Sequence, residues 1–240
     1  MTDDTTDTEN DRKGRHLALA SLEVGSIALG LKVGDELIAV NGLPFDGTTQ
    51  DLRDRFGRGT PTIALTFLRD ERKFVVLSNT PNLGQWKEGR EYDAEEAEKK
   101  AKRILPDGLI NWEVYQDANG NYDIQTQRPS TLAIALTPLW YAQMRLWTPL
   151  AIWIATIIVT LPIGIWVMVL TQALAWSYFW NTAPEFFRRD RIERGMTLLQ
   201  VIAAKNEQRV HQYMKREFPE MRFVYEPVQE DPDMTEAEGL

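Results

Sequence analysis

The chain has no cysteine among its 240 residues and only two histidines, His16 and His211. The lack of cysteine excludes disulfide bonds, thiolate metal ligands and cysteine nucleophiles. The two histidines lie near opposite ends of the chain and lack the His-x-x-x-His spacing of zinc hydrolases. A net charge of -8 disfavours a nucleic-acid-binding protein, because phosphate contacts require clustered Lys and Arg. We therefore expect no metal, no cofactor and no nucleic-acid partner.

Recognisable catalytic motifs are also missing from the sequence. It contains neither the His-Glu-x-x-His motif of metalloproteases nor a Gly-rich phosphate-binding loop. A Ser-His-Asp enzyme needs a histidine inside a catalytic domain, and neither histidine lies in a segment with that pattern. A Ser-Lys dyad stays open by composition alone, although the serines lie in no catalytic module. We therefore expect a protein that is not an enzyme.

Residues 1–11 contain no apolar run and are rich in Thr and Asp. A secretory signal requires a basic start followed by an apolar middle, so this segment is predicted to be a disordered acidic tail.

Residues 12–79 have the pattern of a small domain built from short strands and one helix. The segment 36–40 reads as a strand closed by Asn41-Gly42, a dipeptide that accepts positive φ in a tight turn. Thr48 is placed to cap a helix that starts at Thr49. The segments 62–68 and 73–77 then predict a hairpin with a charged tip.

The run 24–42, Val-Gly-Ser-Ile-Ala-Leu-Gly-Leu-Lys-Val-Gly-Asp-Glu-Leu-Ile-Ala-Val-Asn-Gly, resembles the signature of bacterial PDZ domains. In that family a Gly-Ser-Pro-Ala segment precedes Gly-Leu-x-x-Gly-Asp-x-Ile-x-x-Val-Asn-Gly. The match is most specific over 30–42, and the segment before it is a shortened version without the proline. The resemblance covers about 12–78 and implies a small PDZ-like β-barrel or sandwich with a capping helix.

The resemblance also implies a peptide-binding groove between a strand and the helix. In the family a peptide adds to the strand as an extra strand, and its terminal carboxylate meets backbone amides of the preceding loop. The matching positions in this chain are Gly14, Arg15, His16, Leu17 and Leu19 for the loop and strand, and Thr49, Leu52, Arg53 and Phe56 for the helix.

The segment 80–90 is predicted to be a loop, and residues 91–128 form a second predicted module, a helix followed by a β-hairpin. The helix is expected over 93–105, and the strands over 110–116 and 121–127 on either side of an Asp-Ala-Asn-Gly turn. Alternation places Trp112, Val114, Tyr122 and Ile124 on one face of the hairpin, which we expect to pack against the helix.

No Asp, Glu, Lys or Arg occurs between Leu146 and Pro184, and the stretch is rich in Ile, Leu, Val and Trp. We predict an interfacial segment at 131–145 and a membrane segment at 146–181. Since a span takes about 20 residues, two topologies are open: one span kinked at Pro162, or a helical hairpin with arms too short for full crossing but adequate for deep insertion. The predicted membrane-interface residues are Trp140, Arg145, Trp147, Trp176, Trp180, Arg188, Arg189 and Arg191.

After the membrane segment, residues 182–217 are predicted to form one juxtamembrane helix, and 218–240 a short strand with an acidic tail. Arginines crowd the start of this helix, so the positive-inside rule places the C-terminal region in the cytoplasm. The hairpin topology would place the remaining soluble parts there as well, at the inner membrane of a bacterial cell.

Together these features predict an α+β protein: a PDZ-like domain, a helix-plus-hairpin module, a membrane-embedded helical segment and a cytoplasmic helix. The expected function is a non-enzymatic, membrane-anchored adaptor or scaffold that recruits a membrane protein or its C-terminal peptide. Two alternatives are a regulatory or substrate-delivery subunit of a membrane protease complex and a lipid-shaping scaffold. Membrane lipid and a second copy of the chain are further expected partners.

Overall fold

The first sheet is formed by the N-terminal part of the chain. The structure is a computed structural model that describes residues 13–57, 59, 61–127, 137–143 and 147–226. The six strands of this sheet are β1 (Lys13–Leu19), β2 (Glu36–Val40), β3 (Leu43–Pro44), β4 (Ile63–Arg69), β5 (Arg72–Ser78) and β6 (Trp86–Asp93). The helices of this region are α1 (Val24–Ala28), α2 (Thr49–Phe56) and α3 (Ala94–Lys100).

The strands pair in the order β5-β4-β2-β1-β6, with β3 added beside β2, and every pair is antiparallel. Strands β4 and β5 form the predicted hairpin, and α2 begins where Thr48 was expected to cap it, since the Thr48 hydroxyl accepts a hydrogen bond from the Asp51 amide. Because β5 and β6 are the two end strands of this path, the closed strand arrangement expected for this segment is wrong for the described strands.

The Asn41-Gly42 turn has the predicted positive φ angles, 52° and 78°. A second constraint falls on Gly42, because a Cβ atom there would lie 2.0 Å from the carbonyl oxygen of Lys102. The chain that follows α3 crosses directly over this turn, and the Ile104 amide donates to the Asn41 carbonyl over 2.8 Å. Glycine is therefore required by both backbone angle and close approach.

Asp35, from the Gly-Asp pair of the resemblance, is fully buried at its side chain and forms a bidentate ion pair with Arg69 of β4. The two nitrogen–oxygen distances are 2.7 and 2.6 Å. Arg69 also donates to the Gly30 carbonyl, so it joins the hairpin tip to the loop before β2. A bidentate pair between an arginine and a carboxylate is among the stronger charge-assisted hydrogen bonds.

The second sheet combines chain segments that are far apart in sequence. Its strands are β7 (Ile110–Gln116), β8 (Asn121–Thr126), β9 (Thr197–Ala204) and β10 (Arg222–Phe223), in the order β10-β8-β7-β9. Val114, Tyr122 and Ile202 of the sheet are buried against Val210 and Met214 of a further helix, α7 (Glu207–Glu217). The expected shared face of the β7–β8 hairpin is therefore present, but it packs on α7 and not on α3.

The single helix predicted over 182–217 is wrong in its middle part, because the chain between Glu193 and Glu207 is not helical. A long helix ends at Glu193, Gly195 has φ +79°, and Thr197–Ala204 is a strand. The physical reason is long-range pairing: β9 lies antiparallel to β7, with Ile110 opposite Ala204 and Gln116 opposite Thr197. The apolar residues of this segment read as a helix face locally, yet backbone pairing with a strand more than 80 residues earlier decides their conformation.

A helical hairpin stands between β8 and β9. After α4 (Thr137–Gln143), its arms are α5 (Trp147–Thr160) and α6 (Ile165–Glu193), which contact each other and are joined by residues 161–164. Gly164 in the turn has φ +152°, a conformation that side chains rarely adopt. The alternative of one span kinked at Pro162 is therefore wrong, and the chain reverses at this point.

Among the described helices, none combines the length and the apolar composition that a bilayer-spanning helix needs. The predicted transmembrane helix is therefore wrong. Helix α5 has 14 residues, which is about 21 Å against a hydrocarbon core of about 30 Å. Helix α6 is longer, but its second half carries polar and charged side chains from Asn181 onward. The predicted acidic tail at 1–11, the tail predicted at the end of 218–240, and most of the interfacial segment at 131–145 lie outside the described residues.

Candidate functional site

The strand predicted to accept a peptide is already paired on both edges. Leu17 of β1 lies opposite Leu37 of β2, and along the other edge β6 runs antiparallel to β1 from the pair Lys13–Asp93 to the pair Leu19–Trp86. Strand β6 was predicted as part of a loop. Its position next to β1 is the one that strand addition would give to a peptide ligand.

The helix residues of the predicted groove divide between the core and the surface. Leu52 and Phe56 of α2 are buried with Leu19 in the first core, whereas Thr49 is half-buried and Arg53 is exposed. These residues therefore do not meet in one open groove in this structure. Peptide binding at this place stays a prediction.

Gly14, predicted for the carboxylate loop, instead provides space for an aromatic ring of β6. A Cβ atom on Gly14 would lie 2.7 Å from the ring of Tyr92. The same Tyr92 ring stacks on the imidazole of His16, with ring centroids 4.0 Å apart and an interplanar angle of 2°. Burial lowers the pKa of His16, so the imidazole is neutral at neutral pH.

Exposed ion pairs also hold β6 in place. Arg15 of β1 donates to Glu88 and Glu91, and Arg90 donates to Glu36 and Glu71. Hydrogen bonds from Arg15 to Glu91 and Glu88 raise the pKa of the arginine. Apart from the buried Glu36, the partners in these pairs are exposed, and exposed pairs contribute little to stability, so backbone pairing with β1 is the main attachment of β6.

The second candidate surface is the helical hairpin of α5 and α6, which presents apolar side chains to its surroundings. Its tip exposes Leu161 at 53%, Ile163 at 68% and Trp166 at 82%. The arms behind the tip expose Ile152, Ile154, Ile158, Val159, Val167, Val169, Leu170 and Leu174. A contiguous apolar surface of this kind marks a site of interaction with protein or membrane.

Over residues 165–178, the partly buried side chains of α6 form one narrow stripe with helical spacing. They recur along one face at Met168, Thr171, Gln172 and Ala175. The Gln172 amide on this stripe donates to the Thr156 hydroxyl of α5 over 3.0 Å, and the Thr156 and Thr160 hydroxyls donate to carbonyls of their own helix. The amide nitrogen of Gln172 and the two threonine hydroxyls are thus bonded inside the hairpin, whereas the Gln172 side-chain oxygen is buried without a hydrogen-bond partner among the described residues.

At its base the hairpin is attached to the second sheet by charged groups. Arg188 of α6 donates to the carboxylate of Glu113, which is 2% exposed on β7. Glu113 also accepts hydrogen bonds from the Tyr115 hydroxyl and the Gln127 amide. The bond to Glu113 raises the pKa of Arg188, and burial beside the same carboxylate raises the pKa of Tyr115.

A second ion pair lies beside the first. Arg191 of α6 lies 2.7 Å from the carboxylate of Asp123 on β8, and both side chains are buried. Burial raises the pKa of Asp123, and the charge of Arg191 opposes that shift. Neither Glu113 nor Asp123 was singled out by the sequence, because a carboxylate on a strand gives no sign of a partner that lies about 70 residues away.

The predicted membrane-interface residues have different surroundings. Trp147 and Trp176 are exposed on the arms. Arg188, Arg189 and Arg191 are paired with Glu113, Glu193 and Asp123 respectively. Trp140 lies on α4 and Trp180 on α6, while Arg145 lies outside the described residues.

Within the described ranges, no cluster of His, Asp and Glu has the grouping needed to hold a metal ion. His211 instead shares a hydrogen bond of 2.8 Å with the Tyr122 hydroxyl, and burial raises the pKa of Tyr122 to about 12.

Comparison with known proteins finds no protein family, no curated protein and no solved structure that matches this chain.

Proposed function

We propose that this chain is a non-enzymatic adaptor that attaches to one leaflet of a membrane through the α5–α6 hairpin and holds its two-sheet domain at the bilayer surface. The observation that carries the proposal is the hairpin itself. It has no Asp, Glu, Lys, Arg or His from Trp147 to Pro184, and it exposes apolar side chains over most of its circumference.

A lipid leaflet suits this surface better than a protein partner because lipid surrounds an inserted element, whereas a rigid partner covers one side. Over residues 165–178 of α6, the stripe facing α5 is withdrawn and the other side chains are exposed. An arm of about 21 Å is longer than half of a hydrocarbon core of about 30 Å, so a tilted hairpin fits within one leaflet.

The internal hydrogen bonds of the hairpin support the same environment. Hydrocarbon offers no partner to a polar group, so each must be satisfied within the protein. The amide nitrogen of Gln172 reaches Thr156 of the opposite arm, and the threonine hydroxyls reach backbone carbonyls, although the Gln172 oxygen has no partner in the described part of the chain. Interhelical bonds of this type contribute about 0.6 kcal/mol in membrane proteins.

Both arms enter from the same side, so the two sheets stand on one face of the bilayer. We assign that face to the cytoplasm and the bilayer to the inner membrane, because arginines are concentrated at 188–194, at the base of the hairpin.

The adaptor role rests on the resemblance of residues 12–78 to PDZ domains, a family that binds peptides by strand addition. Because β6 occupies the edge of β1, a partner strand would meet the outer edge of β6, which is an end strand of the sheet in the described chain. A photo-crosslinking residue at Lys87 of β6 is expected to capture a defined protein in the native cells, and the same residue at Arg209 of α7 is not. Equal capture at the two positions would count against recruitment through this edge.

The absence of cysteine permits a direct test of the hairpin with single-cysteine variants. Leu161→Cys places a label at the tip, and Val33→Cys places one at a residue that is 60% exposed in the first-sheet region. In phosphatidylcholine vesicles an environment-sensitive fluorophore at 161 is expected to report hydrocarbon, and the same fluorophore at 33 is expected to report water.

A water-like signal at position 161 would contradict insertion. A membrane-impermeant maleimide tests whether the tip crosses the bilayer. If it modifies the Leu161→Cys variant from the face opposite the two sheets, the tip spans the membrane.

A lipid-shaping role is the second candidate, favoured by the same geometry, because a wedge confined to one leaflet expands that leaflet alone. Tubulation of vesicles by the full chain at high surface density is the expected result. Vesicles that stay spherical at saturating coverage would exclude it.

A further inference from the structure

A cavity of about 450 Å³ lies between the outer face of the first sheet and the chain around α3. Its floor includes His16 of β1, Ile38 of β2, Thr66 of β4 and Lys73 of β5, and its roof includes Ala97 and Ala101. The volume falls in the range of about 300–1,000 Å³ typical of small-molecule sites. None of these elements belongs to the hairpin or to its contacts with the second sheet.

The roof is fixed at both ends, so the space is a built feature of the fold. At one end the Asp93 carboxylate accepts hydrogen bonds from the amides of Glu95 and Glu96 and so caps α3. At the other end Ile104 donates to the Asn41 carbonyl, at the crossing that requires Gly42. Alanines at 97 and 101 then leave open the volume that larger side chains would fill.

Two polar atoms of the floor point to an occupant. The Nδ1 of His16 and the Oγ1 of Thr66 are buried and have no hydrogen-bond partner among the described residues. Buried polar atoms are almost always satisfied in folded proteins, by protein, water or ligand. The cavity is therefore expected to hold a molecule that supplies hydrogen-bonding groups at this end.

The charged side chains that line the cavity are Lys73, Lys102, Asp93 and Glu96. The Asp93 carboxylate accepts hydrogen bonds at the start of α3. Arg90 is close to His16, but Glu36 and Glu71 already occupy its guanidinium. Lys73 is exposed and forms no ion pair within the described ranges, so an organic anion would complete its ammonium group.

We propose that the cavity binds a small organic carboxylate with an apolar, ring-shaped body. The carboxylate accepts hydrogen bonds from the Lys73 ammonium and the Thr66 hydroxyl, and the body lies between Ile38 and the alanines of the roof. The stacked pair of His16 and Tyr92 forms the wall beside the carboxylate end.

The test uses 2-naphthoate as the probe and the uncharged 2-naphthamide as its matched analogue, with purified full-length chain. Isothermal titration calorimetry is expected to show saturable binding of the naphthoate, and the naphthamide is expected to bind at least tenfold more weakly. Lys73→Gln is expected to weaken naphthoate binding about tenfold, whereas Lys87→Gln, on the exposed part of β6, leaves it unchanged.

Ala97→Trp fills the cavity and is expected to abolish binding, and Thr66→Val, which keeps the shape of the side chain, is expected to weaken it. Far-UV circular dichroism and the thermal midpoint establish that each variant is folded. Absence of saturable naphthoate binding to the native chain, equal affinity for the two probes, or binding that survives both Lys73→Gln and Ala97→Trp would each overturn the proposal.

Discussion

An arginine introduced at Val159 should sharply weaken membrane binding if the hairpin lies in a leaflet. Val159 is 65% exposed in the last turn of α5, 12 residues beyond Trp147, which is about 18 Å along the helix axis. In an upright hairpin this depth is close to the bilayer centre. An arginine at such a position costs about 2.5–3.5 kcal/mol, which corresponds to a loss of roughly 70- to 400-fold in partitioning.

The matched control is Val33→Arg, the same substitution at a valine that is 60% exposed in the first-sheet region. A surface change of this type stays within about 0.5 kcal/mol. The assay is flotation of the full chain with phosphatidylcholine vesicles over a series of lipid concentrations, with Val159→Ala as a neutral substitution at the same site. Equal partitioning of the two arginine variants would refute leaflet insertion.

The same variant also tests whether protein, and not lipid, covers the hairpin. If the native chain forms a defined oligomer without lipid and Val159→Arg makes it monomeric, a second copy covers the hairpin.

Gly42→Ala is expected to lower the free energy of unfolding in urea more than Gly120→Ala does. The two glycines have nearly equal φ angles, 78° and 79°, but only a Cβ at 42 would meet the backbone of Lys102. Equal losses of unfolding free energy would show that the close approach is not the cause. His16 has a lowered pKa in the folded state, so the unfolded chain binds more protons and stability should fall as the pH drops through 6.5. His16→Gln is expected to flatten that slope, and an unchanged slope would assign it to other groups. The affinity for vesicles should change less than threefold when anionic lipid or salt is added, because the arginines at 188, 189, 191 and 194 are each paired with a carboxylate. A steep dependence of this affinity on anionic lipid or salt would mean that the arginines exchange their carboxylate partners for lipid phosphate.

Local sequence predicted the elements whose signals are local. The Asn-Gly and Asp-Ala-Asn-Gly turns, the cap at Thr48 and the β4–β5 hairpin appear where their residue types indicated. Each depends on contacts between residues a few positions apart, for which the chain carries explicit turn and capping chemistry.

The candidate site was predicted less well, because its composition depends on distant strands. Strand β6 was read as part of a loop, and its charged, mostly exposed sequence gives no alternation that marks a strand. Its conformation comes from hydrogen bonds to β1, about 70 residues earlier. The cavity above the sheet was not predicted either, since His16, Thr66 and Lys73 come from three separate strands.

The amino-acid sequence alone is enough to recognise an uncharged apolar stretch after a mixed α+β region, and a break in that stretch at Pro162-Ile163-Gly164. What these features become depends on contacts between distant parts of the chain. The arms fold back on each other through a bond between Gln172 and Thr156, and the arginines at the base pair with Glu113 and Asp123 of a sheet that is itself completed by a strand after the hairpin. The reason is that turn and helix signals act over a few residues, whereas ion pairing and strand pairing select partners by position in space.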